Sequence, residues 1–280
     1  MLCCVISVLQ SQDNRGVDIN INGGVEFLIK DAKGRISGFD PRSRKRSDDI
    51  NSSYGVFSVD SENPDVEPPE PAKVFMTYSP AEGIYRLTLF GTKLSSFTMY
   101  VTLSGVNAKD SKQIMTRGVI DSGAVQDYQF VYSLTPSEPY RIERIFTAGT
   151  LQSDINNCFL LGMLGGKEFS TKLIRGADEF DAALAKSDSS KARHQLEEMK
   201  RNIQEVYEKS SKEEKKKHEK ATNRAGRNPF MNDAAFSLLT NDIHTLLENF
   251  QRMKDKEDRD GQGEDDHERM KEKQDRKGNE

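Results

Sequence analysis

The chain has 280 residues, of which 35% are hydrophobic and 31% charged, and its formal net charge is −4. This length allows one large domain or two ordinary ones, and the near-neutral balance gives no overall attraction to nucleic acid or anionic membranes. No apolar run reaches the roughly 18 residues of a membrane-spanning helix. Cys3, Cys4 and Cys158 form neither a disulfide framework nor a zinc-ligand spacing.

Residues 1–16 form an N-terminal segment with two interpretations. Residues 1–10 have about the minimum apolar length of a secretory signal, but no Lys or Arg precedes the run and no small-x-small cleavage site follows it. The favoured prediction is a first strand, or a ragged start on a longer gene product. A functional export signal is the alternative.

Residues 17–146 have the alternating pattern of antiparallel strands. Val17, Ile19 and Ile21 alternate with Asp18 and Asn20, as in a strand with one buried face. No alternation of strands with helices follows, so the pattern favours an antiparallel β-sandwich over a doubly wound fold. Further strands are expected at residues 25–29, 35–39, 54–59, 74–78, 84–90, 97–103, 114–120 and 125–132.

Two polar segments interrupt this pattern. Residues 40–49 are basic and then acidic, and we expect a charged loop there. Residues 62–71 contain four prolines, which cannot donate hydrogen bonds to a sheet ladder. This second segment is therefore expected outside the sheets or along an edge.

Residues 147–250 have the spacing of amphipathic helices that pack on one another as a small bundle. Gly165 and Gly166 are expected to end the first helix, Ser189 or Ser190 to cap the third, and Asn232 or Asp233 to cap the fourth. Residues 251–280 are almost wholly polar, which predicts a disordered charged tail or a lone frayed helix. The apolar stripes predicted for the four helices begin at Leu151, Phe169, Ala192 and Ala235.

Two resemblances to known families follow from particular motifs. The segments 31–41, 51–55 and 80–91 resemble immunoglobulin-like sandwich domains of large secreted or surface-anchored microbial proteins, often downstream of von Willebrand factor A domains. Gly166-Lys167, Ala192-Arg-His-Gln-Leu196 and Met199 are similar to a helical module called FIMAH, although the naming motif is absent. These resemblances imply an immunoglobulin-like β-sandwich followed by a FIMAH-like bundle in an extracellular setting.

The sharpest basic cluster consists of Arg42, Arg44, Lys45 and Arg46. It is the first candidate for a binding surface, and its charge suits an acidic glycan, a nucleic-acid backbone or an acidic protein surface. Asp48 and Asp49 offset this charge, and no aromatic residue is interleaved for stacking on bases, so a solvated charged loop is the favoured interpretation. Asn51, in Asn-Ser-Ser, is a candidate glycosylation site if the chain follows a eukaryotic secretory route.

The sequence predicts no catalytic residue, metal site or cofactor. It contains no HExxH, GxSxG or P-loop motif, and its histidines, at 194, 218, 244 and 267, all follow the strand region. Two interpretations apply to the carboxylates at positions 13, 18, 31, 40, 48, 49 and 60: they form turns, or they bind calcium. Turn formation is favoured because no EF-hand spacing occurs.

We therefore expect a non-enzymatic extracellular or cell-surface module for adhesion, ligand binding or spacing, derived from or part of a larger secreted protein. Its partner would be a protein or glycan that contacts the loop between Asp40 and Tyr54. One alternative is an intracellular scaffold that binds partner helices through the bundle. The other is a hydrolase accessory with His194 or His244 beside a carboxylate at the domain junction.

Overall fold

A computed structural model describes residues 14–57, 70–106, 110–134, 141–217 and 230–252. The chain divides into two compact units, Met1–Ile145 and Phe146–Glu280. We call these the sheet unit and the helical unit. The predicted export signal, most of the proline-rich segment and the predicted tail from 253 onward lie outside the described residues.

The sheet unit contains antiparallel strands throughout its described part. Nine of them match strands predicted from alternating hydrophobicity. The strands are β1 Gly16–Asn22, β2 Val25–Lys30, β3 Ile36–Asp40, β4 Lys45–Asp48, β5 Ser53–Phe57, β6 Ala72–Thr77, β7 Gly83–Gly91, β8 Ser95–Ser104, β9 Lys112–Ile120, β10 Val125–Tyr132 and β11 Ile142–Arg144.

The strands form a five-stranded sheet, ordered β5-β6-β1-β8-β9, and a six-stranded sheet, ordered β11-β10-β7-β2-β3-β4. Several pairs of consecutive strands contribute one strand to each sheet, among them β1–β2, β7–β8 and β9–β10. The first two pairs are nested: the outer strands β1 and β8 lie side by side in one sheet, and the inner strands β2 and β7 lie side by side in the other. The contact between these two strand pairs is thus made once in each sheet.

One hydrophobic core includes inward residues of both sheets. Ile19 of β1 and Phe27 of β2 are fully buried, as are Leu87 of β7 and Val101 of β8. The alternation of β1 therefore places Asp18 and Asn20 on the opposite, outer face of the five-stranded sheet. The predicted class, an antiparallel β-sandwich followed by helices, is confirmed at this level.

The predicted charged loop at 40–49 is instead a β-hairpin. Strand β4 pairs with β3, with Asp40 opposite Lys45 and Ser37 opposite Asp48. Arg44 has a left-handed backbone, with φ of 53°, at the end of the connecting turn. The expectation of a loop was wrong because β4 has no apolar residue, and an edge strand is held by backbone pairing without a hydrophobic signal.

The helical unit contains four helices within its described residues: α1 Ala148–Leu160, α2 Lys167–Ala185, α3 Ser189–Lys217 and α4, residues 233–252. The predicted third and fourth stripes are entirely buried. They consist of Ala192, Leu196, Met199, Ile203 and Val206 on α3 and Ala235, Leu239, Ile243, Leu246 and Phe250 on α4.

The helix ends differ in part from the sequence prediction. Asn232 caps α4 as expected, since its side-chain oxygen accepts a hydrogen bond from the Ala235 amide at 2.8 Å. At α3, Asp188 takes the capping role predicted for Ser189 or Ser190, accepting from the Lys191 amide at 3.0 Å. After α1 the chain turns at Gly162, with φ of 66°, three residues before the predicted Gly165.

Candidate functional site

A pocket of about 370 Å³ opens on the outer face of the five-stranded sheet. Its polar lining comes from Asp18 and Asn20 of β1, Thr102 of β8 and Gln113 of β9. Its apolar lining comes from Val74, Met76 and Tyr100, together with Ile19. We call this site the Asp18 pocket.

The strand register brings these side chains together. Asp18 lies between Met76 of β6 and Thr102 of β8, and Thr102 lies opposite Gln113 of β9. In the next outward row, Asn20 lies between Val74 and Tyr100. The site is thus built from the middle of regular, paired strands, which hold their side chains in fixed directions.

Of the described residues that line the pocket, only Asp18 is charged. Its carboxyl is half-buried, and this burial raises its pKa above the ordinary value. Among the described residues, none donates a side-chain hydrogen bond to this carboxyl or forms an ion pair with it. The carboxylate therefore bears a desolvation cost that no described side chain offsets.

The outer face of this sheet is less polar than the solvent-facing side of an antiparallel sheet usually is. Val74, Met76 and Tyr100 are half-buried there, although they point away from the hydrophobic core. Gln113 donates to the Thr102 hydroxyl at 3.4 Å, which ties two polar lining residues together. An aromatic ring, a thioether and hydrogen-bonding groups thus surround a single carboxylate.

The basic cluster predicted as a binding surface lies on the β3–β4 hairpin, at an edge of the six-stranded sheet. Arg42 forms an ion pair with Asp40 at 3.2 Å, and its guanidinium lies 4.4 Å from the centre of the Phe90 ring. Arg46 donates to the Tyr54 carbonyl at 3.0 Å and lies over the Tyr54 ring. These two guanidinium groups therefore have roles within the sheet unit itself.

The other two members of the basic cluster, Arg44 and Lys45, are exposed, and so is Asn51. None of the four basic residues lines the Asp18 pocket. Binding through the basic cluster and glycosylation of Asn51 stay predictions. The carbonyl of Asn51 accepts a hydrogen bond from Thr77 at 2.9 Å, so its backbone is fixed even though its side chain is exposed.

Two of the carboxylates considered for calcium form turns in their own segments. The Asp31 side chain accepts from the amides of Lys33 and Arg35 and pairs with the Arg35 guanidinium at 2.6 Å. The guanidinium of Arg42 and the amide of the same residue hold the pKa of Asp40 below its usual value. In the part of the chain that the structure describes, no group of three or more acidic, His or Cys residues is arranged to hold a metal ion.

The sheet unit contains a largely buried polar cluster, formed by Tyr54, Glu26 and Lys73. Tyr54 donates to Glu26 at 2.6 Å, and the Lys73 ammonium lies 3.8 Å from the other oxygen of the same carboxylate. Burial raises the pKa of the Tyr54 hydroxyl, and the hydrogen bond to Glu26 and its charge raise it further. The cluster satisfies its own charges, so its role is structural.

The helical unit buries a second polar group around Cys158. This thiol is fully buried on α1, and burial, followed by the charges of Asp154 and Asp242, raises its pKa to about 12. A thiol with this pKa is protonated at neutral pH and is a poor nucleophile. The two described histidines are exposed on their helices, and His244 bonds to Glu248 at 3.2 Å.

Comparisons of this chain with known protein families, with curated proteins and with solved structures find no match. The resemblances to an immunoglobulin-like domain and to the FIMAH module therefore stay predictions. The fold defines the chain at a coarser level, as two antiparallel sheets followed by helices. The site is defined by its own geometry.

The Asp18 pocket was not predicted from the sequence. The pattern around Asp18 predicted a strand, and its carboxylate was a candidate for turn formation or calcium binding. One signal was present, since Val74, Met76 and Tyr100 are apolar at positions that alternate away from the buried residues of their strands. Only the register shows that these outward residues lie side by side.

Proposed function

We propose that this chain is a non-enzymatic binding module that holds its ligand in the Asp18 pocket. The observation that carries the proposal is a half-buried carboxylate with no partner among the described side chains, set among Tyr100, Met76 and polar groups in an open pocket. Pockets that combine an apolar lining with a few fixed polar groups are the usual form of ligand sites. Regular strands give this site the rigidity that specific binding needs.

Binding is favoured over catalysis by the chemistry of the lining. The described lining residues include no histidine, cysteine, lysine or serine, so they offer no pair of nucleophile and base. A single carboxylate beside a phenol, two amides and a threonine hydroxyl supplies orientation and hydrogen bonds. The same groups suit recognition without bond cleavage.

The extracellular or cell-surface setting is part of this proposal and is supported by the family resemblances. Within the described residues, no helix combines the length and apolar character needed to cross a bilayer. N-terminal sequencing of the protein recovered from cells and from the medium tests the setting. Recovery from the medium supports it, and recovery from the cytosol alone, with Met1 intact, contradicts it.

We also retain as proposals an immunoglobulin-like relationship for the sheet unit and a FIMAH-like one for the helical unit. The two-layer antiparallel architecture supports the first, although the nested pairing of β1–β2 with β7–β8 departs from it. In an immunoglobulin domain the strand pairs B–C and E–F both pass from the first sheet to the second. Here β1–β2 passes from the five-stranded sheet to the six-stranded sheet, and β7–β8 passes back. The buried helix stripes support the second proposal.

Methyl NMR of the full-length chain tests the proposed site. Met76 lines the pocket, and Met199 is buried in the helical unit and serves as an internal reference. A mixed library of charged and neutral fragments is expected to shift the Met76 methyl signal while leaving Met199 unchanged. Tyr100→Ala should abolish these shifts, and Tyr78→Ala, at an exposed tyrosine outside the pocket, should preserve them.

Fragments that shift other methyl groups but never that of Met76 would contradict the proposed site. Shifts that persist in Tyr100→Ala would contradict it as well. The signal of Met76 is assigned from its loss in Met76→Leu, a change of similar volume.

A further inference from the structure

We propose that the Asp18 pocket takes the cationic side chain of a partner polypeptide, a lysine ammonium or an arginine guanidinium, bound to the Asp18 carboxylate. This inference rests on the proposed function and names the chemical class of its ligand. The charge of the pocket, the nature of its walls and its size each support a cation.

The charge of the pocket is complementary to a single positive group. Among the described residues, Asp18 is the only charged one that lines the pocket, and no side-chain donor or cation serves its carboxylate. An incoming ammonium or guanidinium group would supply the missing partner through a charge-assisted hydrogen bond, which is stronger than a neutral one. An anionic ligand would face repulsion from the same carboxylate.

The walls of the pocket suit the rest of a long basic side chain. Tyr100 lies diagonally across from Asp18 on the neighbouring strand, and aromatic faces attract cations within about 6 Å of the ring centre. Val74 and Met76 offer apolar contact to the methylene stem, which basic side chains commonly lay along apolar surface. The oxygen atoms of Asn20, Thr102 and Gln113 can accept the remaining N–H groups.

The size of the pocket is consistent with one inserted side chain. Its volume of about 370 Å³ lies near the lower end of the range for small-molecule sites. The pocket is open on the sheet surface, so a side chain can enter while the backbone that carries it stays outside. A neutral sugar would also find hydrogen bonds here, but it would leave the carboxylate without a counter-charge.

The test titrates the full-length chain with N-acetyl-lysine methylamide and N-acetyl-arginine methylamide and follows the Met76 methyl signal. N-acetyl-norleucine methylamide is the uncharged matched probe, and methyl glucoside is the neutral sugar probe. Both cationic probes are expected to bind more tightly than either neutral probe. Asp18→Asn should weaken the cationic probes roughly 10- to 100-fold, while Asp48→Asn, the same charge change on β4, should leave them unchanged.

Thermal unfolding and amide spectra confirm that each variant is folded. Norleucine binding as tight as lysine binding, or full lysine affinity in Asp18→Asn, would overturn the cationic ligand. Binding of methyl glucoside without binding of either cation would overturn the ligand class and keep the proposed site. If no probe and no library fragment shifts Met76, the proposed function falls together with the inference.

Discussion

Asp18 and Tyr100 occupy diagonal positions on the neighbouring strands β1 and β8, and both line one pocket. Diagonal neighbours in an antiparallel pair have Cα atoms about 7–8 Å apart, within reach of long or aromatic side chains. A ligand group bound at the carboxylate can therefore also contact the ring. This relationship connects the regular strand geometry to the proposed binding chemistry.

The carboxyl of Asp18 is expected to destabilise the folded sheet unit at neutral pH. Its pKa is raised by burial, so the folded state binds the proton more tightly than the unfolded state does. Asp18→Asn should therefore slow hydrogen exchange of the β1 and β8 amides at pH 7. The gain should shrink as the pH falls through the raised pKa and vanish below the ordinary value of 3.8, where both states are protonated.

Asp48→Asn is the control for this measurement, because Asp48 is exposed on an edge strand. Faster exchange in Asp18→Asn at pH 7 would mean that the carboxylate has a stabilising partner. That result would contradict the proposal that the Asp18 carboxylate is available to bind a ligand.

Gly118 of β9 is expected to be intolerant of a side chain because the ring of Phe97 lies over it. A Cβ built on Gly118 would lie 2.3 Å from the Cζ of Phe97, which is itself 3% exposed. Overpacking in Gly118→Ala should lower the free energy of unfolding by about 1–3 kcal/mol. The measurement is urea denaturation, followed through signals of the sheet unit. Gly16→Ala is the control, since its Cβ would approach nothing closer than the Thr77 oxygen at 3.5 Å.

The hydroxyl of Tyr54 is expected to stabilise the polar cluster at Glu26. Tyr54→Phe removes a 2.6 Å hydrogen bond to a carboxylate that also pairs with Lys73. The change should cost about 1.5–3 kcal/mol, the range for a hydrogen bond to a charged group. Tyr78→Phe, at a side chain 68% exposed, should be neutral in the same denaturation experiment.

Cys158 is expected to resist thiol reagents in the native state. Its thiol is buried and its pKa is raised to about 12, so little thiolate is present at pH 8. In a variant with Cys3→Ser and Cys4→Ser, Ellman's reagent should react only after denaturant unfolds the helical unit. Rapid labelling without denaturant would show that α1 opens or that the thiol is activated.

Much of the fold could be predicted because its strands and helices carry strong periodic signals. Ile19 and its alternating neighbours indicated β1, and the spacing of Leu196, Met199 and Ile203 indicated α3. Strand β4 was missed because its residues are all polar and it exists through pairing with β3. The short strand β11 gave no pattern long enough to detect.

The candidate site could not be predicted for a different reason. Asp18, Met76 and Tyr100 come from separate strands, and only the pairing of β6, β1 and β8 makes them neighbours. The basic residues were conspicuous in sequence because Arg42 and Arg46 are close to each other along the chain. In the structure they contact Phe90 and Tyr54, which the sequence pattern did not indicate.

The most direct test of the binding account is the pKa of Asp18 itself, followed by carbon-13 NMR of its side-chain carboxyl with and without N-acetyl-lysine methylamide. Since a cation binds the ionised carboxylate preferentially, saturating probe must lower this pKa by linkage. We predict a pKa above the ordinary value in the free protein and a clear decrease with the probe. A pKa that does not change on addition of saturating probe would contradict the proposed role of Asp18.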